Sequence, residues 1–257
     1  MTDRPDKGPI VLNADPEHAG LRVMVVLILV VSLGLLFFLF RAVLTALETE
    51  LGAPSLLSCL GALPLALLLA AGSEAILKRT WTSGRRLVLD GRQLRLQRPG
   101  VADVVLDLGQ QVNQTWWHFP LIGYRRGGRE RRVPDRWHCV AGQLQQEGER
   151  VIVYSFVSPA RLEEWQADYP FYGLNPTEVY DSSARSRLEG PVRPELPTSV
   201  IAGESGRYWL AERSRWQQGV ELTPPDFRIL LERMRGPAAV DPYRQPAGQW
   251  VQEEKDV

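Results

Sequence analysis

Only two cysteines and three histidines occur in the 257 residues, and this scarcity closes off several chemistries. Cys59 falls inside an apolar run and Cys139 far along the polar part of the chain, so no disulfide is expected between them. His18, His118 and the pair His138-Cys139 lack the spacing of a metal-ligand set. No G-x-S-x-G, Walker A or G-x-G-x-x-G motif is present, and Gly127-Gly128 is too short a glycine signal. Net charge is missing too: 30 basic residues balance 30 acidic ones, so no global field points to nucleic acid or an acidic substrate. The expectation is a non-catalytic protein with no cofactor and no metal. An enzyme using an unrecognised site is the alternative these absences leave open.

Long uncharged apolar runs are what the chain does have. Val23 to Phe40 is 18 residues without a charge, and Pro54 to Gly72 is 19. As helices they would be about 27–28 Å long, close to the roughly 30 Å hydrocarbon core of a bilayer. In lipid every backbone polar group must be paired internally, so each run is expected to be a membrane helix. The first run begins too late, and is too long, for the apolar core of a cleaved signal peptide. The short connection Glu48-Thr-Glu-Leu-Gly-Ala-Pro54 makes the two helices antiparallel neighbours. Arg4, Lys7 and Arg22 precede the pair and Lys78, Arg79, Arg85 and Arg86 follow it, while the connection side carries only Arg41. This bias puts both termini in the cytoplasm, with the chain in the cell membrane. Ser58, Gly61, Ala62 and Ala66 allow a close helix approach, either within the hairpin or to another membrane protein. Glu74 reads as an interfacial residue beside Lys78, one turn away, rather than as a proton carrier.

Beyond residue 80 the period changes. Arg86-Leu-Val-Leu-Asp-Gly-Arg-Gln-Leu-Arg-Leu is two alternating runs around Asp90-Gly91, a hairpin signal. Strands are also expected at Val101 to Leu108, Val112 to Phe119, Trp137 to Leu144 and Val151 to Val157. A helix follows from Ala160 to about Tyr169. The organisation read from these signals is a disordered tail over 1–20, a two-helix hairpin over 21–80 and a mainly-β domain over 81–169. A proline-rich connector spans 170–198. Residues 199–236 read as a β-hairpin (Ser199 to Ala202, Gly206 to Ala211, Trp216 to Leu222) plus an amphipathic helix opened by Thr223-Pro-Pro-Asp226. Residues 237–257 read as a flexible tail.

Two membrane helices, a basic juxtamembrane segment and short strands opening Leu87-Val-Leu-Asp-Gly-Arg-Gln-Leu-Arg-Leu-Gln97 resemble bacterial two-pass, membrane-anchored pleckstrin-homology-like proteins. The resemblance covers residues 20–169, or on the wider reading 20–235, and is architectural. It implies a small β barrel or sandwich with a closing helix, acting as a scaffold or ligand tether at a membrane. The chain departs from that pattern in having two candidate closing helices, at 160–169 and 224–235.

The most informative polar stretch is Thr115 to Trp137. It joins Trp116, Trp117 and Phe119 to Arg125, Arg126, Arg129, Arg131, Arg132 and Arg136. Six arginines against Glu130 and Asp135 give it a formal charge of +4 in a neutral chain. Aromatic and arginine side chains suit a membrane interface with anionic lipid, at about 1 kcal/mol per basic residue. The same pattern fits a solvated hairpin tip with Trp116 or Trp117 in the core. Single-stranded nucleic acid is a less favoured partner of the same residues. The expected partners are therefore the bilayer and either anionic lipid or another membrane protein. The leading functional expectation is a binding or assembly module at the cytoplasmic face, with an accessory subunit of a larger membrane complex as the alternative.

Overall fold

The computed structural model describes residues 8–46, 54–122, 131, 133–180 and 195–235. Two compact units divide the chain: residues Asp15–Ser83 form one, and Met1–Ala14 with Gly84–Val257 the other.

The first unit is a helical hairpin, α1 (Ala19–Ala46) and α2 (Pro54–Thr80). Both helices are long and apolar enough to cross a bilayer. They are antiparallel. Glu17 meets Lys78 at 2.8 Å at one end, and the ring of Phe40 lies 3.2 Å from where a Cβ on Gly61 would sit. Ser58, Ala62, Ala66 and Ala70 recur every four residues on α2 and are buried. Small side chains at that spacing let two helices approach closely. Large apolar residues elsewhere, including Val23, Leu35, Phe38 and Leu68, are exposed on the hairpin. His18 closes the hairpin's base: its Nδ1 accepts from the Leu21 N–H, and its ring meets Trp81 edge-on at 5.2 Å.

The second unit holds two separate sheets rather than a closed barrel. Sheet one has the order β1-β2-β3-β4, with β1 (Ile10–Asn13), β2 (Arg86–Asp90), β3 (Gln93–Arg98) and β4 (Val101–Asp107). Gly91 (φ +51°) turns the chain from β2 into β3, and Gly100 (φ +72°) from β3 into β4; both values suit glycine. Sheet two has the order β8-β5-β6-β7-β9, with β5 (Asn113–Pro120), β6 (His138–Gln146), β7 (Glu149–Val157), β8 (Tyr172–Gly173) and β9 (Val220–Glu221). Helix α3 (Pro159–Asp168) follows β7.

Alternation in sheet one turns Leu87, Leu89, Leu94, Leu96 and Leu106 to one side. There they meet Val140, Leu144, Val151 and Val153 of sheet two, closed by Leu162 and Trp165 of α3. A second core covers the opposite face of sheet two, where Trp117, Phe119, Ile152 and Phe156 meet Tyr180, Leu196 and Trp209. Sheet two is thus buried on both faces, which is why seven successive residues of β7, Val151–Val157, are buried.

Three expectations are corrected. Residues 10–13 are not part of a disordered tail: they form β1 and pair antiparallel with β2, Ile10 opposite Leu89 and Asn13 opposite Arg86. Leu12 is buried by that pairing. Its partner strand lies beyond the whole hairpin, so no local turn signal announces it. Residues 199–222 are not a β-hairpin. They form α4 (Thr198–Ala202) and α5 (Gly206–Gln218), and only Val220–Glu221 is a strand. The buried face of α5 includes Trp209, Glu212 and Arg215, spaced by three; two of these are charged, so the helical period is invisible in hydrophobicity. Residues 174, 180 and 196 of the proline-rich connector are buried in the domain rather than laid over its surface. Helix α6 (Pro224–Met234) fits its signature: the Thr223 hydroxyl accepts from the Asp226 N–H at 3.3 Å. Phe227, Leu230, Leu231 and Met234 join the first core, so 199–235 belongs to the β domain.

Candidate functional site

Strand β5 organises the candidate site, because its two faces go different ways. Trp117 is fully buried in the second core, and its Nε1–H donates to Glu212 Oε2 at 3.0 Å. It is a core residue and not a membrane contact. Trp116 points to the other face. Its ring occupies the space a side chain at Gly142 would need and meets Phe171 and Phe227 edge-on. It is half-buried, with its Nε1–H donating to Gln114 Oε1. Of the two tryptophans, Trp117 is thus the one that lies in the core.

The arginine loop runs between β5 and β6, and its base is closed by Leu121 N–H donating to the Trp137 carbonyl at 2.9 Å. Arg125, Arg126, Arg129 and Arg132 lie outside the described residues. Arg131 donates from Nε to Glu221 Oε1 at 2.9 Å, with Glu221 buried on β9. Arg131 is thus tied into the domain and not held out as a free surface cation. Ile122, at the loop's start, is exposed.

On the Trp116 face lies a groove of about 490 Å³. Gln114, Thr115 and Trp116 of β5 line it, with Tyr169, Phe171 and Tyr172 from the segment joining α3 to β8. Tyr208 of α5 completes the aromatic wall, stacked on Tyr172 at 3.9 Å between ring centroids. Leu231 and Met234 of α6 form the apolar wall. Asp168, Arg207 and Arg235 supply charge, Asp168 and Arg235 facing each other at 3.6 Å. Burial raises the phenol of Tyr172 above its usual range. Such a groove, apolar with a few charged groups at its edge, is built for binding. Its sequence signal was the cluster Tyr169-Pro-Phe-Tyr172, which reads as a connector when taken alone.

Comparisons with protein families, curated proteins and solved structures return no match for this chain. The reading of the site therefore rests on its geometry.

A second constellation lies beside the groove. His118 of β5 and His138 of β6 face each other diagonally, with ring centroids 6.0 Å apart. Gln166 Nε2 donates to His118 Nε2 at 3.0 Å, which puts the imidazole proton on Nδ1. That Nδ1 is buried with no partner among the described residues. Burial, and then the neighbouring His138, lower the pKa of His118 to about 4; burial lowers that of His138 as well. Among the described residues no group of three or more His, Cys, Asp or Glu could hold a metal ion.

The histidines set a pH dependence. The unfolded chain protonates His118 at about 6.5, while the folded domain resists protonation until about pH 4. Stability from this group is complete above pH 6.5 and is lost as the pH falls through that window, because the unfolded state binds more protons. The urea midpoint should drop between pH 7 and pH 5, and less steeply in His118→Gln. An equal drop in both proteins would assign the pH dependence to other groups.

Proposed function

We propose that the chain is a membrane-anchored, non-catalytic binding module, a two-pass hairpin inserted into a pleckstrin-homology-like domain held at the cytoplasmic face. The observation that carries this reading is the pairing of β1 with β2 across the hairpin. Strand β1 ends at Asn13, α1 begins at Ala19, and β2 starts six residues after α2 ends at Thr80. A β ladder cannot form through a bilayer, so a spanning hairpin returns the chain to the side it left. The cluster Lys78, Arg79, Arg85 and Arg86, against Arg41 alone on the far side, supports the cytoplasm as that side.

A four-stranded sheet, a facing second sheet and helices closing the open end support the pleckstrin-homology-like reading. The groove beside β5 supports binding as the activity. The arginine loop is the segment proposed to meet anionic lipid. The accessory-subunit alternative has less support, since the small residues of α2 are buried within the hairpin itself.

Topology decides the first half of this reading. Single cysteines at exposed Arg85, in the short link into β2, and at exposed Asp103, on β4, in a Cys59→Ser, Cys139→Ser chain, should react with a membrane-impermeant maleimide only after the cells are opened. Labelling of either site in intact cells would overturn the cytoplasmic placement.

A further inference from the structure

Sheet one has a hairpin end and a far end. At the hairpin end Asn13 of β1 lies opposite Arg86 of β2, and just beyond them Ala14 N–H donates to the Arg85 carbonyl. The β3–β4 turn lies at this same end, because Arg86 pairs with Gln97 and Arg98 with Val101. Pro99 followed by Gly100 at φ +72° makes that turn tight. A Cβ on Gly84 would lie 2.9 Å from Pro99 Cγ, so the turn packs against the chain entering β2. Only residues 14–18 and 81–85 join these strand ends to α1 and α2. Links of that length reach about 17–18 Å when fully extended. The two ends of the sheet differ in charge. Arg85, Arg86 and Arg98 stand at the hairpin end with Asp103, and Asp90 and Asp107 at the far end with Arg92. Arg85, and Asp15 in the link to α1, each have a partner already. Asp103 accepts from Gln97 Nε2 at 3.4 Å. Among the described residues neither Arg86 nor Arg98 has an acidic partner, and Arg98 Nε is buried without an acceptor. Arg86 and Pro99 are exposed, and Val101 is 55% exposed, an apolar side chain at the tip of a basic rim.

We propose that this end of sheet one rests on the headgroups of an anionic bilayer, with Arg86 and Arg98 on lipid phosphates and Val101 at the interface. The inference rests on the membrane-anchored reading and adds a contact separate from the arginine loop. A guanidinium pairs with phosphate through charge-assisted hydrogen bonds, and the domain supplies neither arginine with a carboxylate. Basic residues beside an anionic leaflet are drawn to it within a Debye length. The short links keep the rim at high effective concentration near the headgroups, so two weak contacts suffice. The far end, with Asp90 and Asp107, would be repelled from the same surface. Charge thus selects which end of the sheet meets the lipid.

The test uses the full chain, Cys59→Ser with Cys139→Ser, in nanodiscs of phosphatidylcholine alone or mixed equally with phosphatidylglycerol. A fluorophore is placed at Val101→Cys, at Gln93→Cys on the far end, or at Leu35→Cys on the exposed face of α1. Lipids carrying a nitroxide, on the headgroup or in the acyl chain, report contact by quenching. Headgroup nitroxide should quench position 101 and not position 93, and more strongly with phosphatidylglycerol present. Arg86→Gln with Arg98→Gln should shift the contact equilibrium at position 101 by about thirtyfold, the effect of two basic residues at an anionic surface. Arg86→Gln alone, at an exposed site that folding does not need, should give part of that shift. Equal quenching at positions 101 and 93, or quenching indifferent to phosphatidylglycerol and to both variants, would overturn the proposal. Loss of quenching on adding inorganic phosphate at constant ionic strength would make the free anion the ligand and overturn the lipid. Acyl-chain quenching at position 35 separates the two readings. If it is present while position 101 stays unquenched, this contact fails and the membrane anchor stands; if it is absent, the anchor itself fails.

Discussion

Arg215→Met should destabilise the β domain by about 3–5 kcal/mol, the usual cost of leaving one member of a buried ion pair behind. Arg215 and Glu212 are both essentially without solvent contact, and they are joined twice, Nε to Oε2 and a terminal nitrogen to Oε1, each at 2.8 Å. The guanidinium lies over the ring of Tyr154 at 4.6 Å and within 5.7 Å of that of Phe119. Methionine restores much of the apolar contact but none of the charge. Glu212 would keep the hydrogen bond from Trp117 Nε1–H and lose both contacts from Arg215. Folded domains are stable by only about 5–15 kcal/mol in total, so the loss should be plain in a urea titration followed by tryptophan fluorescence. Arg215→Lys should rescue only part of it, because an ammonium cannot make the planar two-point contact. Replacing both residues, Glu212→Leu with Arg215→Met, should cost less than Arg215→Met alone, since neither charge of the pair remains, even though Trp117 Nε1–H loses its acceptor. A single-variant cost below about 1 kcal/mol, against the range expected for a buried pair, would mean that water reaches Glu212 and that α5 packs less tightly than described.

That same pair shows why parts of the fold could not be read from the chain. Strands β2 to β7 were legible because alternation and turn residues such as Asp90-Gly91 act locally, over a few positions. The apolar runs of α1 and α2 were legible because their length alone carries the meaning. Helix α6 announced itself through Thr223 and an apolar spacing of three and four. Helix α5 hid, because its inward face is built from Glu212 and Arg215, which read as surface residues until their partners are known. Strand β1 hid because its pairing spans the hairpin. Strands β8 and β9 are two residues long and carry no period. The groove is assembled from residues 114–116, 168–172, 207–208 and 231–235, four stretches that no spacing rule connects. Of the residues singled out beforehand, Trp116 lines the groove, Trp117 and Phe119 are core, Arg131 pairs with Glu221, Arg136 is exposed, and the other four arginines lie outside the described residues.

A domain split by a hairpin should survive the hairpin's removal but not the loss of its first strand. Ala14 N–H donates to the Arg85 carbonyl at 3.0 Å, so the two ends of the excised segment already lie side by side. Joining Ala14 to Gly84 through a short Gly-Ser linker, in place of residues 15–83, should give a soluble domain with a single cooperative urea transition. A chain beginning at Gly84 should be markedly weaker. It loses Leu12 and Ala14 from the core and leaves β2 as an unpaired edge. Truncating a buried leucine costs about 2–5 kcal/mol by itself, and an exposed edge strand invites aggregation. Leu12→Asp in the linked chain should reproduce most of that loss, because a carboxylate cannot be accommodated among Leu87, Leu89 and Leu96 without a partner. Far-UV circular dichroism and limited proteolysis would follow both chains. Equal stability of the linked chain and the chain beginning at Gly84 would show that β1 adds nothing. The split-domain topology would then lose the pairing that ties both ends of the hairpin to one side.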